Sequence, residues 1–253
     1  MKPLILISND DGLYAKGLHA LVNFTQKIGE VYVVVPDAPR SGTGHAVTIH
    51  NPLRYVPIDQ NYLGCKTYVT NGTPVDCVKL ALFHILPERP SLILSGINHG
   101  SNASINVLYS GTMAAAIEGS LHGISSIGLS HVSFDQNTNF APLEPFIEKL
   151  LWWVLEHPLP YGISLNVNFP STPEIKGYKW CSLTPGYWEE EFEERIDTHQ
   201  QTYYWLKGDF KIKEQIASGD IKALEEGYIT IVPITTDMTA FSYLEFFKNL
   251  TEL

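Results

Sequence analysis

The sequence predicts an α/β fold organised around a mostly parallel sheet. In the first half, short β-branched apolar runs alternate with segments whose apolar residues recur at helical spacing, the signature of stacked βαβ units. A chain of 253 residues can bury a sizeable core in one such unit. At 44% hydrophobic and 17% charged its composition is that of a globular protein, which excludes wholesale disorder.

The elements follow in order. Leu4 to Ile7 reads as a buried strand, and Gly17 to Ile28 as a helix that Gly29 stops. Glu30 to Val35 is a second strand, closed by Pro36-Asp37-Ala38-Pro39. Ala46 to about Val69 lacks helical periodicity and contains Pro52 and Pro57, so it reads as hairpin material or an excursion. Thr73 is placed as an N-cap, with Pro74 at the first helical position and Asp76 completing a capping box, for a helix to about Ile85. Leu92 to Leu94 is a buried strand followed by a long polar loop. A helix from Thr112 to His122 ends at Gly123, a strand spans Ser126 to Leu129, and a helix spans Leu143 to Glu156. Ile163 to Phe169 alternates as a strand, Lys211 to Glu226 reads as a polar helix, and Gly227 to Pro233 as a late strand. No repeat, linker or clean boundary divides the chain, so residues 1–253 read as one α/β domain, with an irregular extension over about 171–253.

A formal net charge of −10 argues against a dedicated nucleic-acid duplex binder, because phosphate backbones demand clustered Lys and Arg. Small phosphorylated ligands stay open, since they need only a local positive site or a metal. Cys65, Cys77 and Cys181 are too few and too scattered for a disulfide scaffold or a zinc site, which predicts a reducing cytoplasm. The apolar run Leu4 to Ile7 is too short for an export signal, and no stretch nears the roughly 18 apolar residues of a membrane span.

Four motifs carry chemistry. Asn9-Asp10-Asp11-Gly12 follows the first strand, where ligands of open α/β sheets bind. Two carboxylates ~4 Å apart repel by roughly 4 kcal/mol at an effective dielectric near 20, and a divalent cation relieves that repulsion. Asp-Gly is equally a common turn. Arg40-Ser41-Gly42-Thr43-Gly44-His45 lets backbone amides approach an anion and offers the Ser41 hydroxyl, or else is a flexible loop. Ser95-Gly96-Ile97-Asn98-His99-Gly100-Ser101-Asn102 offers the Asn98 carbonyl to a hard cation and the Asn102 amide to a phosphate; the alternative is a set of left-handed turns. Tyr109-Ser110-Gly111-Thr112 opens a helix whose N–H groups and dipole favour an anion, although Ser110 serves equally as a cap. An all-oxygen donor set beside an anion site selects magnesium or manganese over zinc and points to hydrolysis of a phosphate ester.

These stretches, with Asn71-Gly72-Thr73-Pro74-Val75-Asp76-Cys77, Leu165 to Pro170, Tyr203 to Leu206 and Pro233 to Asp237, resemble the SurE family of stationary-phase survival proteins. The resemblance covers most of the chain, densely to about His131. It implies a Rossmann-like, three-layer core whose C-terminal extension is exchanged between subunits of a homodimer or homotetramer. It implies one divalent cation per subunit, Mg²⁺ or Mn²⁺, held by Asp10, Asp11, Ser41 and Asn98, with Asn102, Ser110, Gly111 and Thr112 facing the phosphate. The implied activity is hydrolysis of nucleoside 5′- and 3′-monophosphates, with short polyphosphate as a further substrate. One departure stands out: Asp197-Thr198-His199-Gln200 occupies the place of an Asp-Pro-Arg-Gly stretch.

On this reading Asp11 orients or deprotonates the attacking water, Asp10 is chiefly a ligand, and Asn102 and Ser110 hold the developing charge. Attack by Asp10 itself is the open alternative. Two rival classes remain: a non-catalytic nucleotide-binding regulator, disfavoured because uncompensated acids repel phosphate, and another metal-dependent hydrolase such as an Asp-rich nucleoside hydrolase, which would release ribose and free base instead of inorganic phosphate. His45 and His99 lie in the implicated loops but outside this catalytic set, and no histidine spacing matches a metal motif. The five tryptophans read as core or subunit interface, with base stacking as the alternative, and Glu189 to Glu194 as a solvated acidic face.

Overall fold

The computed structural model describes residues 2–59, 62–172 and 174–250. Along the chain run β1 (Leu4–Ser8), α1 (Lys16–Thr25), β2 (Glu30–Pro36), β3 (Tyr55–Ile58), β4 (Lys66–Thr70), α2 (Pro74–Leu80), β5 (Leu92–His99), α3 (Gly111–Leu121), β6 (Ser126–His131), α4 (Glu144–Glu156) and β7 (Ile163–Phe169). There follow β8 (Tyr178–Trp180), β9 (Gly186–Glu189), β10 (Phe192–Ile196), β11 (Thr202–Leu206), β12 (Asp209–Ile212), α5 (Asp220–Glu225), β13 (Ile229–Thr235) and α6 (Phe241–Lys248). Nine strands form one sheet in the order β3-β4-β2-β1-β5-β6-β7-β13-β8. The six strands from β4 to β7 are parallel, β3 runs antiparallel to β4, and β13 runs antiparallel to β7 with β8 parallel to it at the edge.

Every residue of β1 is buried, as expected of a parallel strand covered on both faces. Strand alternation divides its side chains between two cores. Ile5 and Ile7 join Leu18, Leu21 and Val22 of α1 and Ile147 and Leu151 of α4. Leu4 and Leu6 face the other way, onto Cys77 and Val78 of α2 and Ala115 of α3. The result is a helix–sheet–helix sandwich of three layers. Successive connections lead from β1 outward to β2 and then back across to β5 on the other side, so the strand order reverses between β1 and β5.

The capping box at the start of α2 is present in full: Thr73 Oγ1 accepts the Asp76 N–H at 3.1 Å, and Asp76 Oδ2 accepts the Thr73 N–H at 2.9 Å. Several boundaries differ from the sequence expectation. α1 stops at Thr25, because Ile28 and Gly29 both turn their N–H groups onto the Thr25 carbonyl. α2 does run on to Ile85, as expected, its last turn being π-helical. Ser95 to His99, expected as loop, extends β5 with a register shift against β6 between Ser95 and Asn98.

The polar helix expected over 211–226 is a correction. Asp209–Ile212 pairs antiparallel with β9, Phe210 packs on Trp188, and only Asp220–Glu225 is helical. Cross-strand aromatic packing outweighs the weak helical bias of the charged residues. β9–β12 stand outside the sheet as two ribbons, whereas β8 and β13 join it. At the Asp197–Gln201 turn, Gln200 takes a left-handed φ of +60°, a conformation that glycine adopts without strain. All five tryptophans are substantially exposed, so none is core. No helix among the described residues is long and apolar enough to cross a membrane.

Candidate functional site

At the carboxyl end of β1 the Asn9 side chain closes a tight turn: its Nδ2 donates to the Gly12 carbonyl at 2.9 Å, and its Oδ1 accepts the Gly12 N–H at 3.1 Å. Gly12 has φ +87°, and a Cβ there would stand 3.3 Å from the Pro36 carbonyl oxygen. The turn sets Asp10 and Asp11 at the rim between β1 and β5, where strand order reverses.

The two carboxylates point to different neighbours. Asp10 is buried against the start of α3: its Oδ1 accepts the Thr112 hydroxyl at 2.5 Å, and a Cβ on Gly111 would lie 2.8 Å from its Cβ. Burial raises its pKa to about 6, opposed by the Thr112 hydrogen bond and reinforced by the Asp11 charge. Asp11 faces the end of β5, with His99 Nδ1 3.9 Å from its Oδ2, too far for a hydrogen bond. Burial raises its pKa also, against the pull of His99. Asp11 Oδ2 is buried and has no hydrogen-bond partner. Arg40 does not neutralise the pair. Its N–H holds the Asp10 carbonyl at 2.7 Å, but its guanidinium reaches Asp37 at 3.0 Å and the Asn71 carbonyl at 3.2 Å.

Two adjacent acids with disfavoured charge, one with an orphaned oxygen, fit a divalent cation. Ser41, next to the Arg40 backbone that holds Asp10, is exposed on its loop. Asn98, the penultimate residue of β5, donates Nδ2 to the Gly100 carbonyl at 2.8 Å, which leaves its Oδ1 as the acceptor it can offer. Among the described residues no group of three or more His, Cys, Asp or Glu is set to hold a metal, so a cation here relies on two carboxylates and neutral oxygens.

The structure brings Asp10, Gly111 and Thr112 into direct contact. Ser110 caps α3, accepting the Met113 N–H at 3.0 Å, and the Thr112 hydroxyl is committed to Asp10. Asn102 stands in a separate buried network: Nδ2 donates to Ser130 Oγ at 2.7 Å, its N–H to Asn168 Oδ1 at 2.8 Å, and its carbonyl accepts Asn166 Nδ2 at 2.7 Å. Sequence reasoning missed the supporting Ser130, Asn166 and Asn168. The available signal was two asparagines alternating on one face of a strand otherwise rich in buried apolar residues.

The profile of the survival protein SurE family matches residues 5–190. The chain is 47% identical to the 5′-nucleotidase SurE of Christiangramia forsetii, covering 96% of this chain and 95% of that one. It is also 47% identical to the 5′-nucleotidase SurE of Bacteroides thetaiotaomicron, over 96% and 94%. The crystal structure of the SurE protein from Aquifex aeolicus superposes with a TM-score of 0.84 at 33% identity, over 99% of this chain and 100% of that one.

Proposed function

The chain belongs to the survival protein SurE family, and from that premise we propose that it is a metal-dependent phosphatase of nucleoside 5′- and 3′-monophosphates, acting also on short polyphosphate. The observation that carries this reading is the juxtaposition of two adjacent acids, both disfavoured in their charged form, with the positive end of α3 at the sheet's switch point. Acids alone would repel a phosphate, which disfavours a non-catalytic nucleotide-binding regulator.

Asp10, Asp11, Ser41 and Asn98 would hold Mg²⁺ or Mn²⁺. When bound, the cation supplies positive charge to the phosphoryl oxygens and acidifies water. Thr112 holds Asp10 in one orientation through its 2.5 Å hydrogen bond. Asp11 orients and deprotonates the attacking water. The Ser110 hydroxyl, the N–H groups of Gly111 and Thr112, and Asn102 hold the charge that spreads over the phosphoryl group.

The extension over 171–253 exchanges between copies in a homodimer or homotetramer, supported by the outward aromatic faces of β11 and α6. The free thiols of Cys65, Cys77 and Cys181 suit a cytoplasmic protein.

The test is release of inorganic phosphate from nucleoside monophosphates with Mn²⁺, Mg²⁺ or Co²⁺, and with EDTA. Turnover is expected with the cation, lost with EDTA, and absent in D10N at near-intact fold. Full activity of D10N in manganese would overturn the site. Solvent ¹⁸O found first in a carboxylate would replace direct water attack with a phospho-aspartate.

A further inference from the structure

Resting on the phosphomonoesterase reading above, we propose that His45, braced by Glu118, is the general acid that protonates the departing nucleoside oxygen. Glu118 lies in the third turn of α3, is 3% exposed, and takes no part in the Asp10–Asp11 site. Three groups from three segments converge on it: Lys79 of α2 donates to Oε1 at 2.6 Å, His122 Nε2 meets the same oxygen at 3.0 Å, and His45 Nε2 lies 3.0 Å from Oε2. Burial pushes the Glu118 pKa up, but the hydrogen bonds of His45 and Lys79 overcome it and bring it down to about 2. A carboxylate ionised throughout the neutral range makes Nε2 of His45 the N–H that it accepts. Nδ1 is then the ring atom left to exchange protons.

His45 is also aimed. The chain doubles back at Gly44, φ +54°, whose N–H donates to the Tyr109 carbonyl at 3.0 Å, one residue before Ser110. A Cβ at Gly44 would stand 3.0 Å from the Leu108 carbonyl oxygen, so the close approach depends on glycine. His45 and Ser110 therefore line one cavity of about 300 Å³, whose remaining wall includes Leu108, Ile117 and Met238. The cavity reaches the amino terminus of α3 at Ser110, which the reading above sets against the phosphoryl group, and its apolar wall suits the nucleoside side of the ester. The His45 side chain is 37% exposed, so solvent can restore its proton.

The step balances. As the water oxygen bonds to phosphorus and its proton passes to Asp11, the ester P–O bond breaks and its electron pair leaves on oxygen. The Nδ1 proton of the His45 imidazolium moves to that oxygen and gives the neutral nucleoside. His45 then regains a proton from solvent and Asp11 returns one to it. Glu118 is a positioning residue, and Lys79 and His122 hold its second oxygen.

The leaving group provides the test. A nucleoside alkoxide needs a proton, whereas the nitrophenolate of p-nitrophenyl phosphate leaves without one. H45Q is expected to lower kcat on a nucleoside 5′-monophosphate by roughly 10²–10⁴-fold. Its nucleotide to p-nitrophenyl phosphate activity ratio should fall at least tenfold. E118Q should show the same selective loss to a smaller degree. Equal losses on both esters, or an unchanged ratio, would overturn the proposal and leave His45 a structural clamp. Phosphate release from neither ester by the parent protein would instead overturn the phosphomonoesterase reading, and this proposal with it.

Discussion

Gly111 shows how one missing methyl group shapes the site. Its Cα is the first of α3, and a Cβ there would come 2.8 Å from Asp10 Cβ and 3.0 Å from Asp10 Oδ2. G111A is therefore expected to keep its far-UV circular dichroism while displacing Asp10, and a displacement of about 1 Å at a reacting group costs on the order of 100-fold in kcat. Parental kcat in G111A would dissociate α3 from the Asp10 geometry. Glu118 makes a pH prediction with a definite sign. Its folded pKa, about 2, lies below the usual 4.5, so its contribution is complete above about 4.5 and is lost as pH falls through the folded value. By linkage that contribution is on the order of 3 kcal/mol at neutral pH. Urea titrations at pH 7, 5 and 3.5 should show E118Q less stable than the parent by that amount at pH 7, with the gap closing below about 4.5. A gap that stays constant across this range would mean that the carboxylate charge is not what matters.

The element scale separates what was legible from what was not. Thr73, Pro74 and Asp76 announce the start of α2 because a capping box is local: three side chains within four residues satisfy the first orphan N–H groups whatever surrounds them. The end of α1 was not legible, since apolar spacing runs on to Ile28 while the backbone turns at Thr25. Ser95 to His99 read as loop for its glycine and asparagine, yet β6 lies alongside and draws it into the sheet. Lys211 to Glu226 failed for a related reason, its first residues being claimed by β9. The docking of α1 on β5 is equally invisible in sequence. A Cβ on Gly17 would fall 1.9 Å from the Ile97 carbonyl oxygen. G17A is expected to lower stability by roughly 1–3 kcal/mol, the usual cost of overpacking, seen as a lower urea midpoint. An unchanged midpoint would mean that α1 can slide at no cost.

At the scale of the whole molecule the surface is uneven. The middle strands β1, β2, β5, β6 and β7 are almost wholly buried, whereas α6 buries none of its residues and exposes Phe246 and Phe247 by more than half. If this face joins copies of the chain, F246D/F247D should lower the sedimenting mass toward 28.3 kDa, and a parent already at that mass would refute the exchange. The sequence by itself determined the alternation of strands and helices, the local caps, and the short polar motifs at strand ends. Those are properties of neighbouring residues, governed by periodicity and by hydrogen bonds spanning three or four positions. Tertiary structure alone decided that Thr112 serves Asp10, that Asn166 and Asn168 hold Asn102, and that His45 meets Glu118. Those partners stand 102, 64, 66 and 73 residues apart, and only the fold, by burying one or both members of each pair, gives them a reason to meet.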